Sequence, residues 1–183
     1  HDPPVRRTNH LYFLFIFAFA GMEFTLSFLT VDRFGFSTVQ ITFMMIYIGL
    51  ILILTQGMVV RQIVPRLGER RVAIIGLFSV SMGFAVLALA GTTGVLYLGL
   101  TIMAIGAGLT TPSLTALVSL YAPEDRQGQV LGTFRSLGSL ARAVGPIVAS
   151  FVFWFFGSVW SYGLGAILLV PALILAVALT EPE

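Results

Sequence analysis

Six long apolar stretches constrain the fold of this chain more than any other feature of its sequence. Each is near or above the ~20 residues that an α-helix needs to cross the hydrocarbon core of a bilayer. Of the 183 residues, 57% are hydrophobic and only 10% are charged, whereas about 25% of a soluble domain is charged. We therefore predict an all-α, multi-pass integral membrane protein that spans the bilayer with residues 11–30, 38–60, 72–90, 95–120, 128–156 and 159–179.

The connections between these stretches are short and carry residues typical of helix ends. Ser37 and Gln40 have the spacing of a capping box at the start of the second helix. Gly91 and Gly157 follow the third and fifth stretches, where glycine commonly ends a helix. Residues 123–125 place a proline and two acids in the first turn of the fifth helix, where the helix dipole favours negative charge.

The distribution of the arginines predicts how the spans are oriented. All ten basic residues are arginine, and eight of them lie outside the apolar stretches. Seven of these eight fall on one side of the membrane, and only Arg33 falls on the other. Since cytoplasmic loops carry an excess of basic residues, we predict that both termini are cytoplasmic. The net charge of +2 therefore reflects topology, and nucleic acid is not a predicted partner. Plasma membrane and internal membrane both stay open.

The N-terminal residues predict a fragment of a longer protein. The chain begins with His1, and the first ten residues lack the cleavage site of a secretory signal peptide. We expect residues 1–10 to be the end of a cytoplasmic linker, residues 11–180 to be the six-helix unit, and residues 181–183 to belong to a cytoplasmic tail.

The six predicted helices differ in polarity. The third and sixth contain no charge, which is typical of helices that face lipid. The first and fifth contain charged residues, and the second, fourth and fifth contain most of the glycine, threonine and other polar residues at membrane depth. This partition favours a transporter or a channel over a simple membrane anchor.

Charged residues within the first and fifth spans are the main candidates for function. Glu23 and Ser27 share one face of the first span, and Arg135, Ser139 and Arg142 share one face of the fifth. Counted from the starts of the apolar stretches at 1.5 Å per residue, Glu23 lies ~18 Å, Arg142 ~21 Å and Arg135 ~10 Å into the membrane. We therefore expect Glu23 to pair with Arg142, which leaves Arg135 for an anionic group of a substrate.

A purely structural interpretation of these charges stays open. A buried Glu–Arg pair can hold two helices together, and an arginine near a helix end can extend to the interface. Each unpaired charge at the bilayer centre costs roughly 2.5–3.5 kcal/mol on insertion scales, so either interpretation requires that the charges find partners.

Polar side chains in the second and fourth spans are weaker candidates. Thr111, Thr115 and Ser119 form a stripe beside Pro112, which frees a backbone carbonyl and bends a helix. This stripe is either a cavity wall or a tight helix contact. Tyr47 in the second span is either a ligand contact or a core tyrosine whose hydroxyl is satisfied.

Two segments resemble the major facilitator superfamily of transporters. Residues 56–72 resemble the loop between the second and third helices of the superfamily's C-terminal half, although Arg61 stands where the family signature has an acid. Residues 119–146 resemble helices ten and eleven of drug:proton antiporters of the tetracycline-efflux group. Gly57, Gly68, Arg70 and Arg71 match the signature in kind, and Arg61 and Arg66 complete the basic loop. The residues that resemble packing or hinge positions are Pro112, Gly128, Gly132, Gly145 and Pro146.

The resemblance implies that the chain is helices seven to twelve, the C-terminal half of a transporter, built from two inverted three-helix repeats. It implies proton-coupled export or exchange of amphipathic organic molecules, including organic anions, by alternating access. The implied partners are the N-terminal half, the bilayer, an organic substrate and protons, with no cofactor and no metal. Glu23 is then the candidate proton site, and the candidate substrate contacts are Arg135, Arg142, Tyr47, Ser27 and Thr111.

Two other classes of function differ in how well they fit the sequence. A non-transporting scaffold or sensor on a transporter fold would have the same sequence features. An enzyme is not expected, because the chain lacks a G-x-S-x-G motif, a histidine-rich metal set and carboxylates at metal-binding spacing.

Overall fold

A computed structural model describes residues 3–180 of the chain. The described part is helical, without a β-strand, and six of its helices are long and apolar enough to cross a membrane. One of the six is continuous through a π-helical turn at Thr55–Val59 that joins α2 to α3. This confirms the prediction of an all-α protein with six spans. The helices are α1 (Pro3–Phe34), α2 (Thr38–Leu54), α3 (Val60–Leu67), α4 (Glu69–Ala88), α5 (Thr93–Leu120), α6 (Gln127–Phe156) and α7 (Ser158–Val177).

Of the four predicted helix-end signals, two are confirmed, a third lies in a 3₁₀ turn formed by Glu124–Arg126 just before α6, and one is wrong. Ser37 and Gln40 form the capping box, in which Gln40 Oε1 accepts a hydrogen bond of 2.8 Å from the backbone N–H of Ser37. Gly157 has φ = +90° and separates α6 from α7. Gly91 does not end α4, because the helix stops at Ala88 and its last turn closes on Leu89.

Two helices are longer than their apolar stretches. The first begins at Pro3, so residues 3–10, expected to be linker, form two further turns in which Thr8 is buried. A proline at the start of a helix removes only an N–H that would have no partner there. Residues 60–67, assigned to a loop by the resemblance, are helical up to Gly68, whose φ of +79° turns the chain into α4. Residues 181–183, predicted to be a tail, lie outside the described range.

Small residues hold α4 against α5. A Cβ atom added to Gly106 would lie 2.6 Å from the backbone oxygen of Gly76, and one added to Gly83 would lie 2.6 Å from the Cβ of Met103. Such short distances mean that the two backbones are nearly in contact, as is common where membrane helices pack without a hydrophobic driving force. On its other side α4 packs against α7, where Ser81 Oγ donates to the carbonyl of Ala166 at 3.1 Å.

A second close contact between helices, called the seam below, joins α1 to α6 and fixes their relative register. The ring of Tyr12 stacks on Phe134 with centroids 3.8 Å apart. A Cβ added to Gly138 would lie 2.6 Å from the Tyr12 ring, and one added to Gly145 would lie 2.5 Å from the carbonyl oxygen of Phe17. Residue 145 of α6 is therefore level with residues 17–21 of α1.

Within the charge-free stretches 72–90 and 159–179, the exposed side chains are apolar. On α7 they include Trp160 and Ile167, and on α4 they include Ile75 and Phe78. Each of the two helices therefore has an apolar face that can meet lipid, but the opposite face of α4 is buried between α5 and α7. The second and fifth membrane-crossing helices bury the smallest share of their residues. The second exposes mainly large apolar side chains such as Phe43 and Ile46, whereas α6 exposes both polar and apolar ones.

Several arginines that indicated topology also cap helices. Arg33 donates from Nη1 to the carbonyls of Ala88, the last residue of α4, and Ala90, just after it, at 3.0 and 3.2 Å. At the other end of the bundle, Arg7 and Arg70 donate to carbonyls in the last turn of α7, at 2.8 and 2.6 Å. A cation near the C-terminal end of a helix satisfies free carbonyls and is favoured by the helix dipole.

Candidate functional site

A row of cationic and hydroxyl side chains runs along one exposed face of α6. This cationic stripe consists of Arg135, Ser139 and Arg142, and all three residues are exposed on the surface of this chain. Ser139 Oγ donates to the carbonyl of Arg135 at 3.1 Å, so its hydroxyl is satisfied within the helix. Ionisable residues at membrane depth almost always face a water-filled cavity or another part of the protein. The stripe therefore marks the side of α6 that borders water or further protein.

Packing of the opposite side of α6 against α1 holds the cationic stripe in place. The buried positions Phe134, Gly138, Ala141 and Gly145 recur at helical spacing and form the α6 side of the seam. The stripe begins one residue after Phe134, about 100° around the helix. Within residues 3–180 neither Arg135 nor Arg142 has an acidic partner, so both guanidinium groups are available for an anion.

Glu23 is exposed on α1, but the predicted pair with Arg142 does not form within the described residues. The seam places residue 145 level with residues 17–21, so Glu23 lies about 10 Å farther along the bundle than Arg142. Glu23 also follows the seam residue Gly21 by two positions, about 200° around the helix, so it turns away from α6. The predicted depth of Glu23 relative to Arg142 was wrong, because α1 begins eight residues before its apolar stretch whereas α6 begins only one residue before its own.

The hydroxyls near Glu23 have different surroundings. Ser27 is half-buried, and its carbonyl accepts a hydrogen bond of 3.0 Å from the buried Thr30. Thr25, which the sequence did not single out, lies 3.4 Å from the buried hydroxyl of Tyr162 on α7. Because these two hydroxyls bond each other and backbone carbonyls, they join α1 to α7 rather than line an open surface.

Tyr47 is half-buried between α2 and α5. The Thr101 hydroxyl donates to the carbonyl of Tyr97 at 2.7 Å, so the Tyr47 hydroxyl donates to Thr101 Oγ1, also at 2.7 Å. The rings of Tyr47 and Tyr97 meet edge to face with centroids 5.1 Å apart. These contacts favour the alternative of a core tyrosine whose hydroxyl is satisfied over that of a ligand contact.

The threonine stripe of α5 is partly open. Thr111 is half-buried, and its carbonyl accepts a hydrogen bond of 2.9 Å from the exposed Thr115. Ser119 Oγ accepts a hydrogen bond of 2.8 Å from Gln127 Nε2, and this bond joins the end of α5 to the start of α6. Pro112 lies inside a continuous helix and leaves the carbonyl of residue 108 without its usual helical donor.

The loop residues named by the family resemblance differ in their surroundings. Gly57 lies in the π-helical turn, and Arg61 and Arg66 project from α3 as exposed side chains. Gly68 supplies the turn between α3 and α4, and Arg70 caps α7. Arg71 is exposed at the start of α4.

The glycines of α6 also differ from one another. Gly145 lies in the seam with α1, and Pro146 beside it is half-buried. Gly128 and Gly132 are exposed, and a Cβ added to either would meet no atom within 4 Å. The packing role expected for these two residues is therefore absent from the described chain.

Sequence comparison identifies the family of this six-helix arrangement. A family model described as Major Facilitator Superfamily matches residues 11–183. The chain belongs to this superfamily. It is 40% identical over 164 residues to major facilitator superfamily domain-containing protein 10 of Homo sapiens, an alignment that covers 86% of this chain and 36% of the human protein. It is 29% identical over 130 residues to the class C tetracycline resistance protein of Escherichia coli, covering 71% of the chain and 33% of that protein.

Solved structures agree with this assignment. The crystal structure of a human organic anion transporter superposes with a TM-score of 0.87 at 36% identity, covering 94% of this chain and 40% of that one. A peptide transporter superposes with a TM-score of 0.88 at 19% identity, covering 100% and 40%, which shows the fold alone. This member of the superfamily therefore spans about two-fifths of the length of its relatives, has the fold of a six-helix half, and resembles transporters rather than enzymes.

Proposed function

We propose that this chain is the C-terminal half of a secondary transporter that moves amphipathic organic anions by alternating access. The observation that carries the proposal is the cationic stripe on α6. It projects two guanidinium groups that have no acidic partner within residues 3–180, from a helix whose other side is fixed in the bundle. Guanidinium groups bind carboxylate and phosphate in bidentate geometry. The similarity to a solved organic anion transporter supports the same class of substrate.

The remaining half would form the opposite wall of the cavity. Transport in this fold requires two bundles that rock around a site near the bilayer midplane. Arg142 lies near the middle of α6, at that depth, whereas Arg135 lies about 10 Å nearer to the end at which α6 begins. In this arrangement Arg142 is the primary anion contact, and Arg135 meets the anion during entry or exit from that end.

We assign proton coupling to Glu23 as part of the same proposal. Its carboxyl is exposed on α1, and the described residues give it no cationic partner, so a proton or the other half must balance its charge inside the membrane. A carboxyl that is neutral in one state of the transporter and ionised in the other would couple proton movement to the conformational change.

Transport assays in proteoliposomes test the assignment of Arg142. The complete protein would be given an anionic organic substrate or a neutral analogue of the same size. We expect Arg142→Ala to lower kcat/KM for the anion by about 10- to 100-fold, the value of a hydrogen-bonded charge. Uptake of the neutral analogue should change little, and Arg142→Lys should restore part of the loss. Arg61→Ala, at an exposed arginine of α3, is the control. Equal losses for both substrates would remove Arg142 from the binding site.

A second assay separates coupling from binding. Under an imposed pH gradient we expect Glu23→Gln to abolish accumulation of the anion while exchange of internal for external substrate continues. Full gradient-driven accumulation by this variant would place the proton site elsewhere. Wild-type protein that moves no solute at all would favour the scaffold or sensor interpretation.

A further inference from the structure

A polar cavity lies between the first turns of α1 and α6, away from the cationic stripe. It has a volume of about 330 Å³, and its polar wall includes Arg6, Asn9, Arg126, Gln129 and Thr133. Both helices begin at this end of the bundle, so the cavity lies where a bilayer's hydrocarbon core meets its headgroups. The cavity is therefore placed at the depth of lipid phosphate groups.

The two arginines of the cavity differ from others at the same end of the bundle. Arg7 and Arg70 donate to carbonyls of α7 and are committed to capping that helix. The guanidinium of Arg6 has no acidic partner within residues 3–180. Arg126 lies 3.3 Å from Asp125, but both side chains are about 70% exposed, at 68% and 72%. An ion pair so exposed is weak, so Arg126 can exchange its partner for a phosphate.

Asn9 indicates what the ligand carries besides negative charge. Its Oδ1 atom is buried and has no hydrogen-bond donor among the described residues. A buried acceptor without a partner is unfavourable, so a small rotation of the Asn9 side chain toward a ligand that supplies an N–H or O–H group would be favoured. The cavity thus matches a phosphate that carries a neighbouring hydroxyl or primary ammonium group.

The surface of α6 beyond the cavity continues as an apolar track. Residues at spacings of 4, 7, 7 and 4 keep to one face of the helix, and all are exposed: Gln129, Thr133, Leu140, Ile147 and Phe151. The first two belong to the cavity, and the last three are large hydrophobic side chains at 52%, 70% and 57% exposure. Leu140 lies about 140° around α6 from Arg135, so this track is separate from the cationic stripe.

We propose that this cavity binds the headgroup of an anionic phospholipid, with an acyl chain lying along the apolar track. Arg6 and Arg126 hold the phosphate, and Asn9 accepts a hydrogen bond from a headgroup hydroxyl or ammonium. Thr133 and Leu140 mark the boundary between headgroup and chain. Basic pockets between helices at the membrane surface are suited to anionic headgroups, and the track distinguishes a lipid from a soluble phosphate.

Lipid titration of the complete protein in detergent, followed by native mass spectrometry, tests this site. The probes are phosphatidylglycerol, which has a phosphate and hydroxyl donors, and phosphatidylcholine, whose quaternary ammonium has no N–H. We expect wild type to retain phosphatidylglycerol preferentially. Arg6→Ala and Arg126→Ala should each weaken its tightest binding by about fivefold, the effect of one basic residue near an anionic surface. Arg61→Ala, at the same end of the bundle but outside the cavity, should leave binding unchanged.

Further variants separate the headgroup from the chain. Asn9→Leu should reduce the preference for phosphatidylglycerol over phosphatidylcholine, and Ile147→Ser should weaken retention of either lipid. Inorganic phosphate should not displace phosphatidylglycerol at equal concentration. Displacement by inorganic phosphate would make this a site for soluble anions, and an equal effect of Arg61→Ala would reduce it to general surface attraction. Either result overturns the proposal, as would equal retention of the two lipids by wild type.

Discussion

The seam between α1 and α6 allows a matched test of packing at two glycines of one helix. An alanine at position 145 would place its Cβ atom 2.5 Å from the carbonyl oxygen of Phe17, whereas ordinary contacts begin near 3.4 Å. The two helices must then separate by up to about 0.9 Å, and overpacking of this kind costs typically 1–3 kcal/mol. An alanine at position 132 of the same helix would meet no atom within 4 Å.

The comparison between the two variants removes the intrinsic preference of alanine for helices. Each substitution gains roughly 1 kcal/mol from replacing a helical glycine, so the difference between the variants isolates the packing term. We expect Gly132→Ala to be neutral or stabilising and Gly145→Ala to be less stable than it by about 1–3 kcal/mol. Thermal unfolding of the complete protein in detergent measures the difference. The shift per kcal/mol should be below the about 2–4 °C typical of 150–250 residues, because the complete protein is larger.

A different outcome would contradict the register of the two helices. If Gly145→Ala were as stable as Gly132→Ala, residue 145 would not lie against the α1 backbone. The level of Arg142 relative to Glu23 would then have to be revised. Gly138→Ala offers an independent check on the same seam, because its Cβ atom would lie 2.6 Å from the Tyr12 ring. A side chain moves more easily than a backbone, so we expect its effect to be the smaller of the two.

Three further predictions test other parts of the structure. Arg33→Ala should lower the unfolding free energy by about 1–3 kcal/mol, because the carbonyls at the end of α4 lose a charged donor, and Arg33→Lys should recover part of that loss in the same thermal assay. Tyr47→Phe should destabilise the protein by about 0.5–1.5 kcal/mol through loss of the bond to Thr101 and leave KM unchanged; a raised KM would instead make Tyr47 a ligand contact. Residues 1–183 contain no cysteine. In the complete protein, with any cysteine outside this chain replaced, Gln62→Cys should react with an impermeant thiol reagent only from the cytoplasm and Gly91→Cys only from the opposite side; the reverse labelling would invert the predicted topology.

Features of the fold that depend on local sequence were predictable. The number of spans follows from the apolar stretches, since only a helix can satisfy its own backbone groups in hydrocarbon. The capping box at Ser37 needs partners only three residues apart, so its spacing alone identifies it. The role of Gly157 was predictable for the same reason. The connection between the fifth and sixth spans is short, so the residue that ends the helix with a positive φ has to lie within it.

Features that depend on where a helix begins were not predictable from hydropathy. An apolar stretch marks the part of a helix inside the hydrocarbon, but α1 and α3 continue beyond it as polar turns. An error of one residue moves a side chain by 1.5 Å along the axis and 100° around it. The eight-residue error at the start of α1 was therefore enough to place Glu23 level with Arg142, when it lies about 10 Å away on another side.

Contacts between distant segments were also beyond the reach of sequence patterns. Gly76 and Gly83 resemble the other glycines of the chain until α5 is brought against them. Arg33 indicated only topology, yet its guanidinium joins the end of α1 to the end of α4 and to Ser158 of α7. Three elements contact this one side chain, and no residue spacing in the sequence predicts such a contact.

The faces of α6 explain how one helix can be both packed and polar. Its packing depends on small and aromatic residues such as Gly138 and Phe134, whereas the cationic stripe contributes nothing to that seam. Removing Arg142 therefore leaves no cavity in the core and no buried acceptor without a donor, the two commonest causes of large destabilisation. Because the cationic stripe and the seam lie on different faces, we expect Arg142→Ala to impair transport without lowering thermal stability. If the same variant unfolded instead, Arg142 would be part of the packing between this half and the rest of the protein.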